Sequence, residues 1–210
     1  MITDGLNPVT VLLFVGAVLS AGVLLVVYVI ARLTKREPVA RLSLRALLGG
    51  AGLYLLLFLG ASLLSRNRVL APGEEKHICE IDCHLAYSVI GATAESLPTG
   101  EVRHTVTIKV RFDEETISAR RSRTAPLTPN NRYVALVDAR GRQYRASTDA
   151  LRRPLVPGET YTTSLIFKVP ADARDLRLVL RNNDAETAFI IGHENSLFHG
   201  KTTFALVKAS

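Results

Sequence analysis

Two long stretches near the start of the chain exclude charge altogether. Pro8 to Ala31 reads PVTVLLFVGAVLSAGVLLVVYVIA, and Ala46 to Ser65 reads ALLGGAGLYLLLFLGASLLS. Each is near or above the roughly 20 residues a helix needs to cross a hydrocarbon core. Lipid offers backbone N–H and C=O groups no partner, so both runs are predicted to be helices, about 8–31 and 46–65. The first is not read as a cleaved leader. Its apolar part exceeds the roughly 7–15 residues of a signal core, and the stretch before it carries Asp4 and no basic residue. Small residues recur at helical spacing, Gly16 with Ser20 and Ala46 with Gly50, which predicts a closely packed hairpin.

Beyond Arg66 the pattern changes to period two. Cys79, Ile81, Cys83, Leu85, Tyr87 and Val89 occupy alternate positions, as do Val102, His104, Val106, Ile108, Val110 and Phe112. Strict alternation marks half-buried strands. Further strands are expected at Tyr133–Val137 and Gln143–Arg145, joined through a glycine-containing turn, then at Thr160–Val169, Leu176–Arg181, Phe189–Ile191 and Thr202–Val207. Many short strands with turn residues between them predict a sandwich or barrel. The organisation expected is a two-helix anchor over 1–65, a linker over 66–77 and an all-β domain over 78–210.

Three segments sharpen this. They are Asn131-Arg-Tyr-Val-Ala-Leu-Val-Asp-Ala-Arg-Gly-Arg-Gln-Tyr144, then Leu155-Val-Pro-Gly-Glu-Thr160, then Leu165-Ile-Phe-Lys-Val-Pro170. In that order they resemble a family of bacterial exported immunoglobulin-like domains, which includes a small secreted mycobacterial antigen and many uncharacterised lipoproteins. The resemblance spans about residues 78 to 208. It implies an immunoglobulin-like β-sandwich and no activity, since such folds host many functions. The helical hairpin departs from that family's usual single anchor or signal peptide.

Charge gives orientation. The segment between the apolar runs holds Arg32, Lys35, Arg36, Arg41 and Arg45 against Glu37, while the N-terminal tail holds no base. The positive-inside rule places that segment in the cytoplasm and both chain ends outside. Arg66, Arg68 and Lys76 argue the other way but are fewer. The expected location is the bacterial inner membrane, with the β-domain on the periplasmic or extracellular side.

The formal charge is +7 and is concentrated: residues 120–153 hold nine arginines and two acids, and the remaining 17 basic and 17 acidic residues balance. So basic a stretch in a soluble protein would suggest nucleic acid. An exported domain excludes that partner, and Arg120, Arg121 and Arg123 are read instead as contacts for anionic lipid or an acidic protein. A solvated arginine-rich face with no partner is the competing account.

The remaining candidate chemistry is His77-Ile-Cys79-Glu-Ile-Asp-Cys83-His84. Four readings stay open. The cysteines form a disulfide, as an oxidising compartment favours. In one straight strand they would lie about 13 Å apart, whereas a bridge needs Cα atoms within about 7 Å, so a bulge or turn at 80–82 is required. Alternatively, both are free thiols packed on the core face. A third reading makes Cys79, Cys83 and His84 metal ligands. The plan of a two-helix hairpin followed by an external β-domain resembles the second subunit of haem–copper oxidases, whose copper site also uses C-x3-C. That site lies late in its domain and includes a methionine, while Met1 is the only methionine here. Covalent haem is the fourth, since C-x3-C-H differs by one residue from the usual attachment pattern. His193, Glu194 and His199 are expected in a loop before the last strand, where they could supply metal ligands but are more commonly just exposed, and His104 on an otherwise apolar strand face, where a hydrogen-bonded core histidine is commoner than a ligand.

No nucleophile–base set, phosphate loop or carboxylate pair is evident. The function read from the sequence is therefore non-enzymatic and without cofactor. It is a membrane-anchored interaction module, an accessory or scaffolding subunit whose partners are the bilayer and other membrane-complex proteins. The alternative is a copper or haem electron-transfer subunit at Cys79, Cys83 and His84.

Overall fold

The computed structural model describes residues 2–4, 8–78, 84–118, 121–129, 133–146, 149–182 and 185–206. The fold class is the one expected, a pair of long apolar helices followed by a β-sandwich. The chain divides into two compact units: a β unit of Met1–Gly5, Asn67–Asp184 and Lys201–Ser210, and a helical unit of Leu6–Arg66 and Ala185–Gly200.

In the helical unit, α1 spans Pro8–Leu33 and α2 spans Glu37–Leu64. Both are long and apolar enough to cross a membrane. Helix α2 begins nine residues before its uncharged run. Arg41 and Arg45 are helical, because a charge-free window marks the part that suits lipid and not the whole helix. A three-residue turn joins the helices. The N–H of Arg36 donates to Ala31 O at 2.8 Å and that of Lys35 to Arg32 O at 3.2 Å, with Lys35 left-handed at φ 55°. This is a Schellman closure, and Pro38 fits the open first turn of α2. Arg32 and Glu37 pair across the turn at 2.8 Å.

The helices meet through Ala31, Ala40 and Ser43 near the turn, all buried. Further along they part. Ser20, Ala46 and Gly50 line an apolar groove of about 300 Å³ with Phe14 and Tyr54, and no heavy atom lies within 4 Å of where a Cβ on Gly16 or Gly50 would stand. The close approach expected at those small residues is displaced to the alanines by the turn, because a three-residue link fixes the separation there.

The β unit is two five-stranded sheets. Their strands are β1 (Ile2–Asp4), β2 (Arg68–Leu70), β3 (Lys76–Ile78), β4 (Leu85–Ser96), β5 (Glu101–Phe112), β6 (Tyr133–Val137), β7 (Gln143–Arg145), β8 (Thr160–Pro170), β9 (Arg177–Arg181) and β10 (Thr202–Ala205). The first sheet runs β1-β3-β4-β5-β8 and the second β2-β10-β9-β6-β7. Alternate residues face inward: Val106, Ile108, Val110 and Phe112 from β5, Leu165, Phe167 and Val169 from β8, Leu178 and Leu180 from β9. Apolar area removed from water by these rows holds the sheets together.

Three expectations change. Of the strand expected from Cys79 onward, residues 79–83 lie outside the described residues, and the residues on either side of them belong to two strands. β3 ends at Ile78, β4 begins at Leu85, and the two pair antiparallel with Ile78 opposite Leu85. Period-two alternation continues through a reversal of direction and so conceals it. Residues 66–77 are not a bare linker. They carry β2, parallel to β10, and β3 at its end, and the three-residue strands are too short to show a period. Phe189–Ile191 is not a strand: Ala185–Phe189 is a 3-10 helix that belongs with α1 and α2.

Candidate functional site: a cationic face on the second sheet

On an outer sheet face the alternation should leave polar residues in water. The second sheet breaks that rule. Tyr133, Ala135 and Val179 point away from the core, yet are 6%, 0% and 9% exposed. Strand register explains what stands around them. Arg181 of β9 is directly opposite Tyr133, Arg177 opposite Val137, and Arg145 of β7 opposite Ala135. Side chains four apart on a strand share a face, so Arg177 and Arg181 both rise from it.

Tyr133 organises the cations. The Arg181 guanidinium carbon lies 4.7 Å from its ring centroid and that of Arg145 lies 5.1 Å away. Cation–π attraction of this kind holds a guanidinium without neutralising it. The Tyr133 hydroxyl donates to Gln143 Oε1, which fixes the ring. Arg177, Arg181 and Lys201, the last just before β10, line a concavity of about 540 Å³, and Arg145 stands beside it over Tyr133.

Among the described residues the acids nearby do not pair with the three guanidinium groups of this face. Asp138 is buried at the edge and already engaged, accepting Arg142 Nε at 2.7 Å, the backbone N–H groups of Arg140 and Arg142 at 2.9 Å each, and the Tyr144 hydroxyl at 3.2 Å. Burial pushes its carboxyl up, but these bonds outweigh it and hold the group below the usual carboxylate range. Asp175 also lines the concavity. Among the described residues no acid pairs with Arg145, Arg177 or Arg181, and the buried Nε of Arg181 has no hydrogen-bond partner. Buried donors are rarely left without an acceptor. Guanidinium groups with no paired carboxylate among the described residues have the chemistry to accept an anionic group such as carboxylate or phosphate.

The arginine-rich segment of the sequence is mostly structural. Arg140 and Arg142 pair with Asp172 at 2.9 and 3.1 Å. Arg153 lies over Tyr161, 5.4 Å from its centroid. Of the three arginines singled out from the sequence, Arg120 lies outside the described residues. Arg121 is half-buried over Phe112 at 5.6 Å, and Arg123 is exposed. Arg145 alone of the segment's described arginines reaches the cationic face. The sequence reading missed Arg177, Arg181, Lys201 and Tyr133. The signal was present in Leu-Arg-Leu-Val-Leu-Arg over 176–181, which puts both arginines on the polar face of β9, but the partner strand was not legible.

In the cysteine-bearing segment, Cys79 and Cys83 lie outside the described residues. His84 is buried, with Nδ1 2.5 Å from Thr116 Oγ1 and its ring stacked on Phe112 at 5.6 Å. His77 is buried beside Asp113, Nε2 to Oδ2 at 3.0 Å, and Arg111 bridges Asp113 to Glu75. Among the described residues no three His, Cys, Asp or Glu side chains are grouped to hold a metal. His193 and Glu194, expected to be exposed, are 8% and 6% exposed, because their loop folds on itself. His199 is half-buried, with Nδ1 2.8 Å from Gly200 O. His104 sits half-buried on β5 between Ala94 and Phe167, as its strand face predicted.

No protein-family model and no curated protein matches the chain. Among solved structures it is similar to the secreted protein MPT63 from Mycobacterium tuberculosis, at 14% identity and TM-score 0.41 over 65% of this chain and 97% of that one. It is also similar to an uncharacterised β-sandwich protein from Clostridium difficile 630, at 9% identity and TM-score 0.40 over 68% and 96%. The yjhA protein from Bacillus subtilis is similar at 14% identity and TM-score 0.37 over 65% and 98%.

Proposed function

We propose that the chain is a two-pass membrane protein whose extracytoplasmic β-sandwich is an interaction module. In this reading it serves a larger membrane complex as an accessory or scaffolding subunit. It holds an anionic region of a partner protein against the face formed by Arg145, Arg177, Arg181 and Lys201. The observation that carries the proposal is the pair of guanidinium groups, Arg145 and Arg181, set over Tyr133 with no carboxylate partner among the described residues. Proteins seldom leave such charge clustered, since like charges repel and a buried donor without an acceptor is costly.

Two further observations support the membrane part. The helices are long and apolar enough to span, and β1, before the first helix, pairs with β3, after the second. Both ends of the hairpin thus return to one sandwich, as an even number of crossings requires. No observation among the described residues favours the copper or haem alternative, and His84 is engaged with Thr116 and Phe112.

The test is crosslinking in native membranes with the wild-type chain and the triple variant Arg145→Glu, Arg177→Glu, Arg181→Glu. A recurring partner that is captured by the wild type and lost from the variant, with the variant still folded by circular dichroism, supports the proposal. A partner captured equally by both, or no recurring partner, overturns it.

A further inference from the structure

Residues 185–200 leave the sandwich and join the helical unit. Two hydrogen bonds tie this segment to α2 at separate heights. The Tyr54 hydroxyl donates to Phe189 O at 2.6 Å, and the Gly200 N–H donates to Ser65 Oγ at 2.6 Å. Tyr54 and Ser65 are eleven residues apart, about 16 Å along a helix that rises about 1.5 Å per residue. The segment therefore runs along the flank of α2 for half the thickness of a hydrocarbon core of about 30 Å.

That stretch of α2 is not a watery one if the helix spans. Leu55, Leu56, Leu57, Leu59 and Leu63, between the two tie points, are 39–74% exposed on the helix. The segment matches them. Phe189, Leu197 and Phe198 point outward at 54%, 48% and 73% exposure, and Phe198 is held at φ 64°, a left-handed conformation that a bulky aromatic rarely adopts. Its polar groups turn inward. The Asn195 N–H donates to His193 Nδ1 at 3.0 Å, Asn195 Nδ2 donates to Thr187 Oγ1 at 3.0 Å, and the Ser196 hydroxyl donates to Ile190 O. Lipid tolerates non-helical backbone only where its polar groups are satisfied inside protein. Tyr54 shows the same logic from the helix side, since a hydroxyl at that depth needs an acceptor and Phe189 O provides one.

We infer that residues 185–200 form a re-entrant element that enters the outer leaflet beside α2 and presents Phe189, Leu197 and Phe198 to lipid acyl chains. The inference rests on the reading of α1 and α2 as membrane spans. It gives the module a third attachment to the bilayer, contributed by the loop between β9 and β10.

The chain contains no tryptophan, so single reporters are clean. Four variants are placed in phosphatidylcholine vesicles with and without brominated acyl chains: Phe189→Trp, Phe198→Trp, Leu56→Trp on α2 and Ile166→Trp on the exposed edge strand β8. The two loop reporters are expected to lose emission to bromolipid as strongly as Leu56→Trp and to resist aqueous acrylamide, while Ile166→Trp does the reverse. Loop reporters that follow Ile166→Trp, with Leu56→Trp still quenched by bromolipid, overturn the inference and leave the anchor standing. Loop reporters shielded from both quenchers indicate a protein partner and also overturn it. Loss of bromolipid quenching at Leu56→Trp sinks the spanning reading itself. Leu197→Trp replaces Phe198→Trp if the latter fails to fold.

Discussion

At the scale of single residues the first sheet depends on Asp113. Its carboxylate is buried at the end of β5 and receives His77, Arg111 and the N–H of Glu115 within 3.3 Å. Burial raises its pKa, but the bonds from His77, Glu115 and Arg111 prevail and the group stays below the usual range. Glu75 is also held low, chiefly by its hydrogen bonds to Arg111, as is Asp172, chiefly by Arg142. A carboxyl whose folded pKa lies below its unfolded value stabilises the fold above the unfolded value, and that contribution is lost as pH falls through the folded one. The melting temperature of the detergent-solubilised chain is therefore expected to drop steeply below about pH 4. His104 acts in the same direction at higher pH. Burial lowers its pKa, so the unfolded chain binds the proton more readily and stability begins to decline below about pH 6.5. Asp113→Asn keeps the shape and removes the charge. It should cost on the order of 2 kcal/mol at neutral pH and flatten the acid limb. That is less than the 3–5 kcal/mol of a fully buried pair, because the Arg111 side chain is 31% exposed. Wild-type melting in this variant would show that His77 and Arg111 are satisfied elsewhere.

At the scale of elements, a strand is legible when one of its faces is fully buried and the other is not. β5 and β8 meet that condition, and their inward rows follow from alternation alone. The hairpin between β3 and β4 was not legible, because alternation carries no direction. Cys79 and Cys83 thereby passed for residues of one strand, when the residues flanking them belong to two paired strands. The segment after β9 failed for a different reason: Phe189, Ile190 and Ile191 are apolar in the service of the helical unit, and apolarity does not name the surface it is meant for. The cationic face was half legible. The pattern of β9 holds the signal that Arg177 and Arg181 share a face, though the sequence reading did not use it, and the convergence of Arg181 with Arg145 on Tyr133 follows from register between strands far apart in sequence. Turns were legible through chemistry. Val156-Pro157-Gly158-Glu159 closes with the Glu159 N–H donating to Val156 O at 3.0 Å, and Gly158 sits at φ 83°. A Cβ there would also stand 3.3 Å from Glu114 Oε2. Gly158→Ala should destabilise the β unit by about 1–2 kcal/mol through the left-handed penalty, read as a lower denaturation midpoint with unchanged slope. A neutral result would mean that the turn changes type at no cost.

At the scale of the whole molecule, the distribution of charge and the pairing of β1 with β3 point the same way. The turn between α1 and α2 concentrates Arg32, Lys35 and Arg36, with Arg41 and Arg45 on the first turns of α2, while the N-terminal tail has no basic residue. Basic residues resist translocation far more than acidic ones, so the turn should stay in the cytoplasm and both ends should cross. The pairing of β1 with the strand that follows α2 demands that both ends finish on one side, whichever side that is. The two arguments are independent, one kinetic and electrostatic, the other conformational. Reporter fusions in a bacterial host separate them. Alkaline phosphatase, active only outside the cytoplasm, should be active when fused after Ser210 and inactive when fused after Arg36. Replacing Arg32, Lys35, Arg36, Arg41 and Arg45 with glutamine should then yield a mixed population, with phosphatase activity at the C-terminal fusion reduced. Activity at the Arg36 fusion and none at Ser210 would invert the orientation while keeping the even number of crossings, and would place the cationic face in the cytoplasm. Activity at both positions would mean that only one helix crosses, and the pairing of β1 with β3 could not then form across the bilayer.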